Sequence, residues 1–174
     1  YILPFKNKNN YFVSYFTKFG SLILDFYSEK ENKMIHVPEG IAHFLEHKMF
    51  EQEDGIGPFE FFAKSGCGCN ASTSYKATRY YIFGNENINE NIDYLINYVN
   101  SPYFTDENVE KEKGIICEEI NMLKDNPEWF MEEEIQRMLY KKHPFRVPIA
   151  GSCESVKTIT KENLYDTYNA FYNP

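Results

Sequence analysis

The sequence predicts an α+β fold: a largely antiparallel sheet packed by helices. Three observations carry that prediction. Strand-like runs come in adjacent pairs instead of alternating with single helices, apolar residues from Ile88 onward recur at three- and four-residue spacing, and 43% of the 174 residues are apolar, enough to fill a hydrophobic core. Residues 11–19 and 21–27 are rich in aromatic and β-branched side chains and break at Gly20, so they read as a hairpin. A polar stretch leads to Val37-Pro38-Glu39-Gly40, after which residues 41–52 hold only good or tolerable helix formers. A short helix over 58–64 stops at Ser65-Gly66, where glycine can cap it. Residues 69–75 and 77–84 read as a second strand pair. Ile88, Ile92, Leu95, Ile96 and Val99 then mark a helix that Ser101-Pro102 breaks. Thr105 offers an N-cap for a helix to about Lys124, Asn126-Pro127 opens another to about Lys142, and a last helix follows Thr160.

The formal charge of -8 is spread over many Lys and Glu, and no basic patch gathers. That excludes the electrostatic footprint of a nucleic-acid binder or of a protein drawn to an anionic membrane. No apolar run approaches the roughly 20 residues that span a bilayer, and the first residues lack a signal-peptide pattern. The chain does not begin with Met, so the start reads as internal to a longer protein. Four cysteines are more than a core of this size needs as staples; they read as reduced thiols, which favours a cytoplasmic setting.

The chemistry concentrates in His43-Phe44-Leu45-Glu46-His47. Residues four apart on a helix share a face, so His43 and His47 can aim ring nitrogens at one point, with Glu46 beside them and free to reach a water. Zinc takes imidazole nitrogen and, in catalytic sites, keeps one position open. The order inverts the commoner His-Glu-x-x-His and matches an inverted form found among zinc peptidases. A plain polar helix face is the competing reading, and a third ligand decides between them. On the helix from Asp106, at about 100° per residue, Val109, Ile116, Ile120 and Leu123 form one apolar stripe. Glu119 borders that stripe and Glu118 points nearly opposite, so Glu119 is the candidate ligand and Glu118 a solvated acid. Glu112 shares the face of Glu119 but sits roughly 10 Å along the axis, too far to bind the same ion, and so takes an outer, orienting role.

These motifs resemble the pitrilysin/insulinase family of zinc metallopeptidases, in particular its bacterial cytoplasmic processing-peptidase-like members. "GIAHFLEH", "NASTS" and "VEKEKGIICEEINMLKDNPEW" carry the resemblance, which continues in order to "HPFRVPIAGSCESVKTITKENLYDTYNAFYNP". It implies a mitochondrial-processing-peptidase-like metallohydrolase fold, with one zinc ion on His43, His47 and Glu119, Glu46 as general base and Glu112 as auxiliary carboxylate. It also implies an edge strand at residues 69–74 that binds extended peptide, with Asn70 and Ala71 next to substrate. Residues 1–174 would then be one N-terminal catalytic domain, truncated at its C-terminal end. The rest of the protein, or a homologous subunit, would close over a peptide or unfolded polypeptide substrate. The expected activity is that of a zinc metalloendopeptidase.

Two alternatives remain at this stage. One is an enzyme with the same histidine pair and a cysteine third ligand, as in S-ribosylhomocysteine lyases; Cys117 is near enough in sequence but lies well round the helix from Glu119. The other is a non-catalytic partner subunit, which the intact His43, Glu46, His47 and Glu119 oppose. His36 and His143 read as turn or surface residues, Cys67 and Cys69 as unlikely metal ligands, and Phe59, Phe61 and Phe62 as core. Glu132-Glu133-Glu134 reads as a solvated face and Gly151 as a turn.

Overall fold

The computed structural model of the chain describes residues 2–4 and 8–172. It is α+β, with antiparallel strand pairing throughout. Strands β1 (Tyr11–Thr17), β2 (Asp25–Ser28) and β3 (Lys33–His36) come first, followed by helices α1 (Ile41–Lys48) and α2 (Pro58–Lys64). Strands β4 (Gly68–Thr73) and β5 (Thr78–Gly84) precede α3 (Ile88–Val99), α4 (Asp106–Lys124) and α5 (Pro127–Leu139). A single 3₁₀ turn (Pro144–Arg146), the short α6 (Cys153–Val156) and α7 (Lys161–Phe171) complete the order.

The β4–β5 pair forms as expected, but the first expected hairpin does not. β1 pairs with β5, Tyr11 opposite Gly84 and Thr17 opposite Thr78, while β2 pairs with β3, which the polar composition of residues 28–34 concealed. The reason lies at Gly20. A Cβ there would meet Ser74 O at 2.4 Å and Ala77 N at 2.7 Å, so the chain presses against the β4–β5 turn. Ser21 and Leu22 donate their N–H groups to Ser74 and Tyr75. Gly20 therefore serves a close crossing, not a turn between paired neighbours.

The three-stranded sheet runs β1-β5-β4, so β4 is paired on one side only. Strand alternation turns Cys69, Ala71 and Thr73 inward and leaves Asn70 and Ser72 exposed. Thr78, Tyr80 and Ile82 of β5 are fully buried beneath. Against this face lies α1, shorter than expected. It ends at Lys48 because the chain tightens there, Phe50 N–H reaching His47 O and Glu51 N–H reaching Lys48 O. Six of its eight residues are buried, and His43 and His47 occupy the remaining face.

Both ends of α1 are fixed. At its start Gly40, at φ +89°, crosses Gly151, at φ +73°, so closely that a Cβ on Gly40 would sit 2.3 Å from Ala150 O. The turn expected at Gly151 is thus also the surface on which α1 begins. At its end the fully buried Lys48 ion-pairs with Glu51 at 2.6 Å and donates to Asn108 O at 3.2 Å, on the first turn of α4. Helix α4 is capped as expected: Thr105 and Asn108 exchange hydrogen bonds in a capping box, and Val109, Ile116 and Ile120 are buried. Helix α5 is capped by Asn126 and stops at Leu139, three residues before the expected end. Of the α2 phenylalanines, Phe62 is core; Phe59 is exposed and stacks on Phe50, and Phe61 stacks on Tyr94.

Candidate metal centre

The helix faces of α1 and α4 meet at two histidines and two glutamates. His43 Nε2 lies 3.6 Å from Glu119 Oε1, and His47 Nε2 lies 3.3 Å from Glu119 Oε2. The ligand atoms of the three residues all fall within 4.8 Å of one another, the one such group of three among the described residues. Bonds of about 2.0–2.2 Å to nitrogen and oxygen in a tetrahedral zinc site imply ligand–ligand edges of about 3.3–3.5 Å. The two histidine–glutamate separations, 3.6 and 3.3 Å to different oxygens of one carboxylate, lie near that spacing, so the donor set fits a zinc ion once the Glu119 carboxylate turns one oxygen towards both rings.

The second nitrogen of each histidine distinguishes the pair. His47 Nδ1 is 2.9 Å from Glu112 Oε1, a buried carboxylate. Nδ1–H donates to Glu112 and, on the protonated ring, Nε2–H donates to Glu119; loss of the Nε2 proton would free that nitrogen's lone pair for a metal ion. Glu112 therefore stands behind His47, away from the open side, in the outer role its spacing suggests. His43 Nδ1 is buried without a hydrogen-bond partner.

Charge follows from this packing. Burial, then the neighbouring His47, pull His43 down to about 4, so its ring is neutral at physiological pH. Burial also acts to lower His47, but hydrogen bonds to Glu112 and Glu119 outweigh it and raise the ring to about 9. Glu119 is held below the usual carboxylate range, first by the His47 hydrogen bond. In the metal-free protein one proton on His47 thus holds two carboxylates together, a place where a divalent cation suits the surrounding charge. Glu118, by contrast, is exposed.

Glu46 lies beside the pair, 8% exposed, and its carboxyl is pushed up by burial and held partly back by Thr73, whose hydroxyl donates to Glu46 Oε2 at 2.5 Å. A cavity of about 410 Å³ opens over His43, Glu46, His47 and Glu119. Asn70 and Ala71 line it from β4; the Asn70 side-chain oxygen also accepts the Ala71 N–H at 2.8 Å. Among the other lining residues are three that the sequence did not single out for the site. Thr73 lies within "NASTS" but has no role of its own there, Trp129 lies off the apolar face of its helix, and Glu133 belongs to the acidic run read as merely solvated.

The remaining candidates fall elsewhere. Cys117 packs on α6, its Sγ 3.9 Å from Cys153 O, and is not among the converging donors. All four cysteines are free. His36 lies on β3 and pairs with Asp25 at 2.8 Å, and His143 caps the 3₁₀ turn. Among the described residues no helix is long and apolar enough to cross a membrane.

Residues 25–152 match the family model described as insulinase, peptidase family M16. A zinc protease of Bacillus subtilis, YmfH, is 47% identical over 174 residues, covering 100% of this chain and 40% of its own length. The crystal structure of an M16-like peptidase from Alicyclobacillus acidocaldarius superposes with a TM-score of 0.90 at 41% identity, over 94% of this chain and 38% of that one. An M16 inactive domain from Pseudomonas fluorescens shares the fold at a TM-score of 0.71 and 18% identity, over 91% of this chain and 37% of its own. The chain thus spans about two fifths of the length of the proteins it matches.

Proposed function

The chain belongs to the insulinase family of peptidases, and from that premise we propose that it forms the zinc-binding, catalytic N-terminal domain of a zinc-dependent endopeptidase acting on peptides or unfolded polypeptide segments. The observation that carries the reading is the convergence of His43, His47 and Glu119, with ligand atoms within 4.8 Å of one another, on a cavity that Glu46 and an open strand edge also reach. One zinc ion would be held by those three side chains. When bound, it supplies a Lewis acid that makes water acidic enough to ionise near neutral pH and polarises a carbonyl oxygen.

The chain's own residues divide the remaining work. Glu112 fixes the His47 ring through Nδ1. The free edge of β4 receives the substrate backbone as an added strand, with Asn70 and Ala71 nearest the scissile bond. Glu46 takes a proton from the attacking water and returns it to the leaving amine as the C–N bond breaks. Its raised affinity for the proton, caused by burial, suits that exchange.

A second half of the same protein, or a homologous subunit, closes over the substrate. The relatives' greater length supports this, as does a cavity bounded on its outer side by the exposed Trp129. Four free cysteines suit a reducing, cytoplasmic setting. The test is Glu46→Gln in the full-length protein. Zinc content stays near one per chain while peptide turnover falls by about 10²–10⁴. Unchanged turnover would remove Glu46 as the base, and no turnover by the zinc-loaded parent would instead favour a non-catalytic, peptide-binding partner subunit.

A further inference from the structure

Catalysis by a buried carboxylate depends on where its oxygens point, and only one side chain among the described residues hydrogen-bonds Glu46. We propose that Thr73 is a positioning residue for Glu46, its hydroxyl holding Oε2 so that Oε1 is presented to the cavity beside His43 and His47. The inference rests on the general-base reading of Glu46 and deepens it.

The geometry around Thr73 is that of a fixed brace. Thr73 is the last residue of β4 and pairs with Thr78, the first of β5. Its Oγ1 lies 3.4 Å from Thr78 Oγ1, and the fully buried Thr78 donates to Phe19 O at 3.0 Å. Beyond it the turn is closed twice, Ser74 N–H and Oγ–H both donating to Ala77 O at 2.8 Å. A β-branched residue in a strand has little χ1 freedom, so the hydroxyl cannot swing away. The Thr73 main-chain N–H also faces Glu46. On the other side Glu46 is carried by α1, whose ends are held by the Gly40–Gly151 crossing and by Lys48. Strand and helix are each tied at these points, and the Thr73–Glu46 bond is a polar link between them. Without it the carboxylate could rotate about its last bond, and the productive orientation would be one of several.

Thr73→Val keeps shape and branching and removes only the donor; Thr73→Ser keeps the donor. In the full-length, zinc-loaded protein, Thr73→Val lowers kcat by about 10–100-fold with KM and zinc content unchanged, and Thr73→Ser restores most of the loss. In the Glu46→Gln background Thr73→Val has little further effect, because both act through one group. Crystal structures of the metal-free proteins give a readout that does not depend on turnover: one Glu46 carboxylate orientation in the parent and more than one in Thr73→Val. A wild-type kcat and an ordered Glu46 in Thr73→Val would overturn the inference while leaving the general base intact. Loss of zinc from Thr73→Val would also overturn it, since the residue would then serve the ligands. Full activity of Glu46→Gln would instead remove the reading beneath it. Should Thr73→Val not fold, Thr73→Ala takes its place against the same serine control.

Discussion

Helices α4 and α5 follow one another across a single turn, and only one of them is held by the core. Along α4, Val109, Glu112, Ile116 and Ile120 are buried at three- and four-residue intervals. Along α5 no residue is buried, although Trp129, Phe130, Met131, Ile135, Met138 and Leu139 all lie on it. The direction in which each apolar face points explains the difference better than the number of apolar residues. Those of α4 form one stripe, which fixes the helix about its axis and gives the acids at its border defined positions. On α5 Met131, Ile135, Met138 and Leu139 also share one face, at i, i+4, i+7 and i+8, but that face is exposed and turned away from the core. Helix α5 is tethered at points, notably by Tyr75 Oη donating to Gln136 Oε1 at 2.6 Å. The wall that carries His43, His47 and Glu119 is therefore built from elements packed into the core, whereas Trp129 and Glu133 border the cavity from a helix with no buried face.

The largest effects should come from the border of the α4 stripe. Glu119→Gln weakens zinc binding by more than about 10²-fold, beyond what the loss of an outer group costs, whereas Glu118→Gln, one residue away and exposed, leaves it unchanged. Competition with a zinc chelator measures both. If Glu118 proved the costly one, the helix-face argument would be wrong.

Core anchoring comes next. Ile116→Ala, at a fully buried position, destabilises by about 2–5 kcal/mol in denaturant unfolding. Met138→Ala on α5, 70% exposed, changes stability by no more than about 0.5 kcal/mol. Equal losses at the two positions would erase the contrast between the helices.

The smaller effect separates Glu112 from the ligands. Glu112→Gln can still accept the His47 Nδ1–H but lacks the charge that makes the ring a stronger donor to metal. Its zinc affinity falls by about 10–100-fold and is not abolished. A loss as large as that of Glu119→Gln would place Glu112 among the ligands.

Smaller still is the expected peptidase activity of residues 1–174 on their own. They should bind zinc yet turn over peptide far more slowly than the full-length protein at equal zinc occupancy, because one strand edge and one open cavity hold a substrate loosely. Equal turnover by the two would show that this surface alone positions the scissile bond. The expected chain end at Asn173-Pro174 lies outside the described residues.

How much of this was legible in the sequence depended on range along the chain. The spacing of His43 and His47, the choice of Glu119 over Glu118, and the caps at Thr105, Asn126 and Thr160 all involve residues within a few turns of one helix. Helical periodicity fixes such relations before any tertiary contact forms. The pairing of β4 with β5 was equally local. The first strands were misassigned because β1 bonds to β5, Thr17 to Thr78 and Tyr11 to Gly84, far along the chain, and no pattern in residues 11–27 names that partner. The run of polar residues before Lys33 hid β3 for a related reason: half of an exposed hairpin needs no apolar alternation.

The sequence by itself therefore determined the metal-competent face of α1, the α4 acid able to meet it, and the fold class. Tertiary structure alone decided that Glu112 reaches His47, that Thr73 reaches Glu46, and that Gly40 must lie against Gly151. Each of those three joins elements at least 27 residues apart. Their separation and register follow from how helices and strands pack into one core, which periodicity within a single element cannot specify.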